Sequence, residues 1–159
     1  MLVKTQASSA WRNNLQMQRT HLQSQQAALK TQFFKHKNTA QLLKKQSLLI
    51  DNLLKQIWLQ ANIHAEVAVI AVGGYGRGEL FPYSDIDLLI LLPDAHDDAL
   101  NKQIEGLIGQ LWDIGLNVGH SVRNREECLS EAAKDVTVQT SLLEARLLAG
   151  NKINFQLFT

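Results

Sequence analysis

Residues 67–92, VAVIAVGGYGRGELFPYSDIDLLILL, restrict what this chain can fold into more than any other stretch. Val67 to Val72 is short, β-branched and apolar, the pattern of a buried strand. Gly73 and Gly74 follow at once, so the backbone can turn sharply and an anion can approach its N–H groups without meeting a Cβ. After ten intervening residues come Asp85 and Asp87, two apart in a second strand-like run that continues to Leu92. Side chains at i and i+2 of a strand share a face, so both carboxylates project together toward whatever the glycine turn holds.

Two like charges ~4 Å apart at an effective dielectric of ~20 repel by about 4 kcal/mol, so such a pair shares a proton or binds a cation. Oxygen ligands suit a hard ion, and Mg²⁺ is usually held by one or two carboxylates together with substrate phosphates. A phosphate-cradling turn opposite a carboxylate pair therefore points to metal-assisted chemistry on a nucleoside triphosphate. Other glycine-loop motifs fail on spacing. A Walker loop needs Lys and then Ser or Thr after Gly78, where Glu79 and Leu80 stand. The dinucleotide and kinase loops need a glycine five residues beyond the first, a position filled by Glu79 counting from Gly74 and by Phe81 counting from Gly76.

Strand, Gly-Gly, spacer and Asp-x-Asp on a strand together resemble the nucleotidyltransferase superfamily signature. Within it, GGYGRGELFPYSDIDLLIL is similar to the N-terminal domain of bacterial PII uridylyltransferase/uridylyl-removing enzymes, as are LLKKQSLLIDNLLKQIW upstream and LWDIGLNVGHSVRNREECLSEAAKDVTVQTSLLEARLLAGN downstream. The central motif specifies the superfamily and the flanks specify the enzyme family. The resemblance implies transfer of UMP from UTP to a tyrosine of the PII nitrogen-regulatory protein, with release of pyrophosphate and a need for Mg²⁺ (two ions, with Mn²⁺ as a substitute). Full-length relatives continue into HD hydrolase and ACT sensor domains. At 159 residues the chain is expected to be a truncated version, so neither of those functions is assigned to it.

Composition agrees with a folded chain: 45% of residues are hydrophobic. No apolar run reaches the ~20 residues of a membrane span, and the polar, Gln-rich start lacks a secretory h-region. A cytoplasmic location is expected. Cys128 is the single cysteine, which excludes an internal disulfide, and in EECLSEAAK it reads as a buried neutral thiol rather than a nucleophile. Residues 1–60 carry nine Lys or Arg against one acid, Asp51, whereas residues 61–159 carry seven against fourteen. Such a basic half can bind nucleic acid. The scattered lysines, with no zinc-finger, homeodomain or aromatic RNP pattern, favour a helical arm that docks near the acidic half.

The expected architecture is an α+β fold with a small mixed nucleotidyltransferase-like sheet flanked by helices. It divides into a helical arm over residues 1–60 and a C-terminally truncated core over 61–159. Residues 8–36 look weakly helical, with Trp11, Leu15, Leu22, Leu29 and Phe33 as anchors. Leu42, Leu43, Leu49, Ile50, Leu53, Leu54, Ile57 and Trp58 form a stronger helical stripe suited to core packing. Ile104 to Trp112 marks a helix stopped near Gly115, and Asn117 to Val122 a third strand. Asn124 with Glu127 reads as a capping box. Asp135 is expected to cap a last helix running through Leu148, with Gly150 past its end.

By resemblance and by the carboxylate argument, Asp85 and Asp87 are the metal ligands and catalytic residues. Gly73 and Gly74 are expected to donate backbone N–H bonds to the triphosphate, and Arg77 to clamp its oxygens. Ser84 fits either a phosphate ligand or a cap of the strand turn, and Glu79 reads as structural. The superfamily commonly has a third carboxylate on a neighbouring strand, yet NVGHSVR contains no acid. Gly119, His120 and Ser121 fill that stretch; His120 suits packing better than proton transfer, and Asp113, Asp135 and Glu144 are acids that folding can bring near. Three functions remain open: the uridylyltransferase core, an inactive nucleotide-binding fragment, and a nucleotidyltransferase acting on nucleic acid. Residues that select uracil carry no motif.

Overall fold

The computed structural model describes residues 2–63 and 66–159, with side chains from Arg12 onward, so Trp11's anchoring role lies outside the described residues. Helix α1 (Leu2–His36) begins earlier than its apolar anchors suggest. Lys37, at φ 52°, breaks it. Asn38 then opens α2 (Thr39–Ala61) by accepting the Gln41 N–H at 3.0 Å. Ile50, Leu53, Leu54 and Ile57 on the α2 stripe are buried, and Leu22 of α1 joins the same core. Among the described residues no helix is long and apolar enough to cross a membrane.

The sheet consists of β1 (Ala68–Ala71), β2 (Ile86–Leu91), β3 (Val118–Arg123) and β4 (Arg146–Gly150), in the order β3-β2-β1-β4. One helical turn, α3 (Gly73–Gly76), follows β1. The β1–β2 and β1–β4 pairs are antiparallel and β2–β3 is parallel, which makes the sheet mixed. A parallel neighbour needs a crossover, and α4 (Asp98–Ile114) supplies it. Asp97 caps the start of α4 and Gly115, at φ 100°, ends it. Helices α5 (Arg125–Lys134), α6 (Val136–Leu143) and α7 (Lys152–Phe158) complete the chain.

Strand alternation separates two cores. Val69, Ala71, Leu88 and Ile90 pack with α1, α2 and α4 on one face. Ala68, Ile70, Leu89 and Leu91 pack on the other with Cys128, Leu142, Phe155 and Phe158 from α5, α6 and α7. The capping box at Asn124 is present in full.

The expected helix from Asp135 to Leu148 is corrected. Asp135 does cap α6 through the Thr137 N–H, but α6 stops at Leu143, and Arg146–Gly150 pairs with β1. Locally, SLLEARLLAG suits either element. The free edge of β1 decides for the strand, because pairing satisfies backbone groups that a helix would leave bare. Gly150 closes that strand instead of a helix: at φ 90°, a Cβ there would lie 2.1 Å from the Val67 carbonyl oxygen.

Candidate active site

The registers Ala71↔Leu88, Ala71↔Arg146 and Ile86↔Val118 bring the end of β1 and the starts of β2, β3 and β4 to one edge of the sheet. Alternation along β2 puts Asp87 on the face of Leu89 and Leu91, and Asp85 shares that parity. Asp87 is wedged between two glycines. Its Oδ2 lies 3.6 Å from where a Cβ on Gly73 would stand, and its Oδ1 2.9 Å from a Cβ on Gly119. Gly73, at φ 58°, also needs glycine for its backbone. At Gly119 a side chain would force the Asp87 carboxylate to shift. Partial burial, and then the charge of Asp85, push the Asp87 carboxyl above the ordinary aspartate range.

The Asp85 carboxylate accepts a hydrogen bond at Oδ1 from the Asn117 amide Nδ2. The glycine turn is tied to the acid strand through the Val72 N–H, which donates to the Asp87 carbonyl at 3.1 Å. The N–H groups of Gly76, Arg77 and Glu79 are spent inside the turn, on the carbonyls of Val72, Gly73 and Gly74. Those of Gly73 and Gly74 have no backbone acceptor among the described residues.

The turn is braced from behind. Arg146 donates from Nε to the Gly76 carbonyl at 3.2 Å and from Nη2 to the Tyr75 carbonyl at 3.1 Å. Its Nη1 reaches Asp51 Oδ2 at 2.7 Å, and the Tyr75 hydroxyl donates to Asp51 Oδ1 at 2.7 Å. Burial and the neighbouring Asp51 charge hold the Tyr75 phenol protonated far above its usual range. Gly76 leaves no room for a side chain, with the Glu144 carbonyl 2.0 Å from its Cβ position. Asp51, Tyr75, Arg146 and Asn117 carry no motif that marks them as site residues in the sequence. For Asp51 a signal existed: it is the one acid of the basic half and sits within the apolar stripe of α2.

The remaining expected residues are placed as follows. Arg77 sits beside Gly74, and its guanidinium is held by Glu144 at 2.7 Å and Glu79 at 3.1 Å, Glu144 contributing more to raising its pKa. The Ser84 hydroxyl donates to the Phe81 carbonyl at 2.9 Å, closing a turn that contains Tyr83 at φ 67°. Ser84 lines a cleft of about 700 Å³ with Ile86, residues of α1 and Asn117, whose amide donates to Asp85. His120 also faces away from them, edge-on to Trp112 with ring centres 5.7 Å apart. Asp135 caps α6 through the Thr137 N–H, and Glu144 is paired with Arg77. The Cys128 thiol is fully buried and pushed up to about 11, as a structural cysteine should be.

Among the described residues no group of three or more His, Cys, Asp or Glu could hold a metal ion; Asp85 and Asp87 are a pair of carboxylates. That set fits a hard divalent cation completed by substrate phosphates and water. Glycine at 73 and 119 leaves room for the Asp87 carboxylate itself.

Comparison with known proteins identifies the family of the chain. Residues 51–146 match the model of the nucleotidyltransferase domain. The bifunctional uridylyltransferase/uridylyl-removing enzyme of Nitrosospira multiformis is 51% identical over 146 residues, covering 88% of this chain and 16% of the relative. The enzyme of the same description from Burkholderia orbicola is 54% identical over 127 residues, covering 79% of this chain and 15% of the relative. The chain thus spans about one sixth of the length of the curated relatives it matches. A crystal structure of a toxin-antitoxin with AMP-PNP aligns over 65% of this chain and 78% of its own, at a TM-score of 0.40 and 19% identity.

Proposed function

The chain belongs to the nucleotidyltransferase domain family, and from that premise we propose that it transfers UMP from UTP to a tyrosine of a PII-type signalling protein, releasing pyrophosphate. The observation that carries the proposal is the position of Asp87, its carboxylate between Gly73 and Gly119 with Asp85 on the same face. The choice of UTP and PII rests on similarity to the uridylyltransferase relatives.

In this reading Asp85 and Asp87 hold Mg²⁺ or Mn²⁺ at the sheet edge. A bound divalent cation supplies charge neutralisation on the triphosphate and lowers the pKa of an attacking hydroxyl. Gly73 and Gly74 present their open N–H groups to phosphate oxygens. The Tyr75–Asp51–Arg146 brace keeps those groups in place, so little reorganisation is left for the reaction itself. The tyrosine hydroxyl gives its proton to solvent, its oxygen bonds to the α-phosphorus in line as the bond to the pyrophosphate oxygen breaks, and the protein's work is positioning and charge compensation. Arg77 takes phosphate oxygens by giving up Glu144, and Ser84 serves as the cap of the preceding turn.

Incubation of the chain with Mg²⁺, labelled UTP and PII, followed by weighing PII, tests the proposal. A mass increase of one uridylyl group is expected, and Asp85→Asn abolishes it without altering the fold. Full activity in Asp85→Asn refutes the metal role. A second reading, nucleotide binding without transfer, is favoured by one observation: Arg77 is already engaged by two carboxylates. In that case UTP binds and PII keeps its mass.

A further inference from the structure

The parallel register pairs Ile86 with Val118, so the residues just before them, Asp85 and Asn117, are neighbours at the sheet edge. Val118 packs into the core beneath α4, which turns Asn117 and Gly119 to the face that carries Asp85 and Asp87. Asn117 is tied to the acid strand twice. Its carbonyl accepts the Ile86 N–H at 2.8 Å, and its amide Nδ2 donates to Asp85 Oδ1. Along β3 on this face, Gly119 offers no side chain, and His120 stands on the opposite face against Trp112.

We propose that Asn117 is a positioning residue of the divalent-cation site, fixing Asp85 in a cation-receiving orientation and occupying, uncharged, the third corner beside the two carboxylates. This rests on the nucleotidyltransferase reading above. The donated N–H occupies Oδ1 and leaves Oδ2 for the cation. It also offsets part of the repulsion between Asp85 and Asp87 when no cation is bound. A carboxylate at the same corner does the reverse: it adds repulsion in the empty site and a third negative oxygen ligand in the filled one. Ligand charge count is a main determinant of how tightly hard cations are held, so residue 117 sets the affinity of the site.

The test titrates Mn²⁺ alone into the 159-residue chain, reading bound ion by electron paramagnetic resonance and following the melting temperature with and without the ion. Asn117→Asp is expected to tighten Mn²⁺ binding about tenfold, to melt lower than the parent without metal and to gain more on adding it. Asn117→Ala frees Asp85 and is expected to weaken binding about tenfold, the loss typical of removing an outer hydrogen-bond partner. A purely structural role lowers the melting temperature of Asn117→Ala and leaves affinity alone, which overturns the inference. So does Mn²⁺ affinity within about twofold of the parent in both variants. Asp85→Asn is the companion control. If it abolishes binding while the Asn117 variants match the parent, only this inference falls. If Asp85→Asn itself matches the parent, the cation site and the function built on it fall together.

Discussion

Asp87 carries a cost that the fold accepts. Burial and the Asp85 charge raise its carboxyl in the folded chain, so the folded state holds the proton more tightly than the unfolded state. Its contribution to stability is then most favourable below the ordinary aspartate value of about 3.9 and is lost as pH rises through the raised value. At neutral pH the charged side chain destabilises the metal-free protein. Asp87→Asn is therefore expected to melt higher than the parent near neutral pH in chelator, and the gap should close on acidification through the carboxylate range. Melts recorded across that range check it; a variant that melts lower at neutral pH contradicts the electrostatic account. The same proton competes with the cation, so Mn²⁺ affinity should weaken on acidification before an ordinary aspartate would titrate.

Among the elements, α5 shows how a local signal becomes a tertiary one. Asn124 accepts the Glu127 N–H at 2.9 Å while Glu127 accepts the Asn124 N–H at 2.9 Å. The Asn124 carbonyl also receives the Cys128 N–H at 3.1 Å, so the cap leads directly to Cys128, a buried α5 residue in the second core. Asn124→Ala should cost ~1 kcal/mol in urea denaturation. It should also speed labelling of Cys128 by a thiol reagent, since local fraying exposes a thiol otherwise shielded by burial. An unchanged labelling rate would mean that α5 is held by packing alone. The capping box and the Gly115 stop were readable because each depends on residues a few positions apart. β4 was not. Its pairing partner lies in β1, and nothing within LLEARLLAG separates strand from helix without that edge.

Across the whole molecule, the brace formed by Asp51, Tyr75 and Arg146 joins α2, the glycine turn and β4. Asp51 is buried to 5% exposure and Arg146 keeps about a third of its side chain in solvent, at 34%. Removing the acid leaves a cation and a phenol without their shared partner. Asp51→Ala should therefore destabilise by ~2–3 kcal/mol, near the low end for breaking a buried pair because Arg146 can rehydrate. Tyr75→Phe, which keeps the ion pair, should cost only ~1 kcal/mol. Denaturant melts of both variants check the ranking, and equal losses would show that the phenol rather than the ion pair holds the turn.

Much of the architecture and the acid pair could be read from residues 67–92, because strand alternation and glycine turns are consequences of backbone geometry that any sequence of that pattern must obey. So sequence alone determined two buried strands, a glycine bend between them, and two carboxylates sharing one face. Tertiary structure decided which groups stand around them. Sheet register brought Asn117 to Asp85 across 32 positions, set Gly119 over Asp87, and turned His120 away. Folding also gave Arg77 two acidic partners and assembled the brace behind the turn from α2 and β4. The physical reason is range. Propensity and periodicity act over a few residues, whereas a site is made where distant segments meet, and the register that aligns them is chosen by the core as a whole.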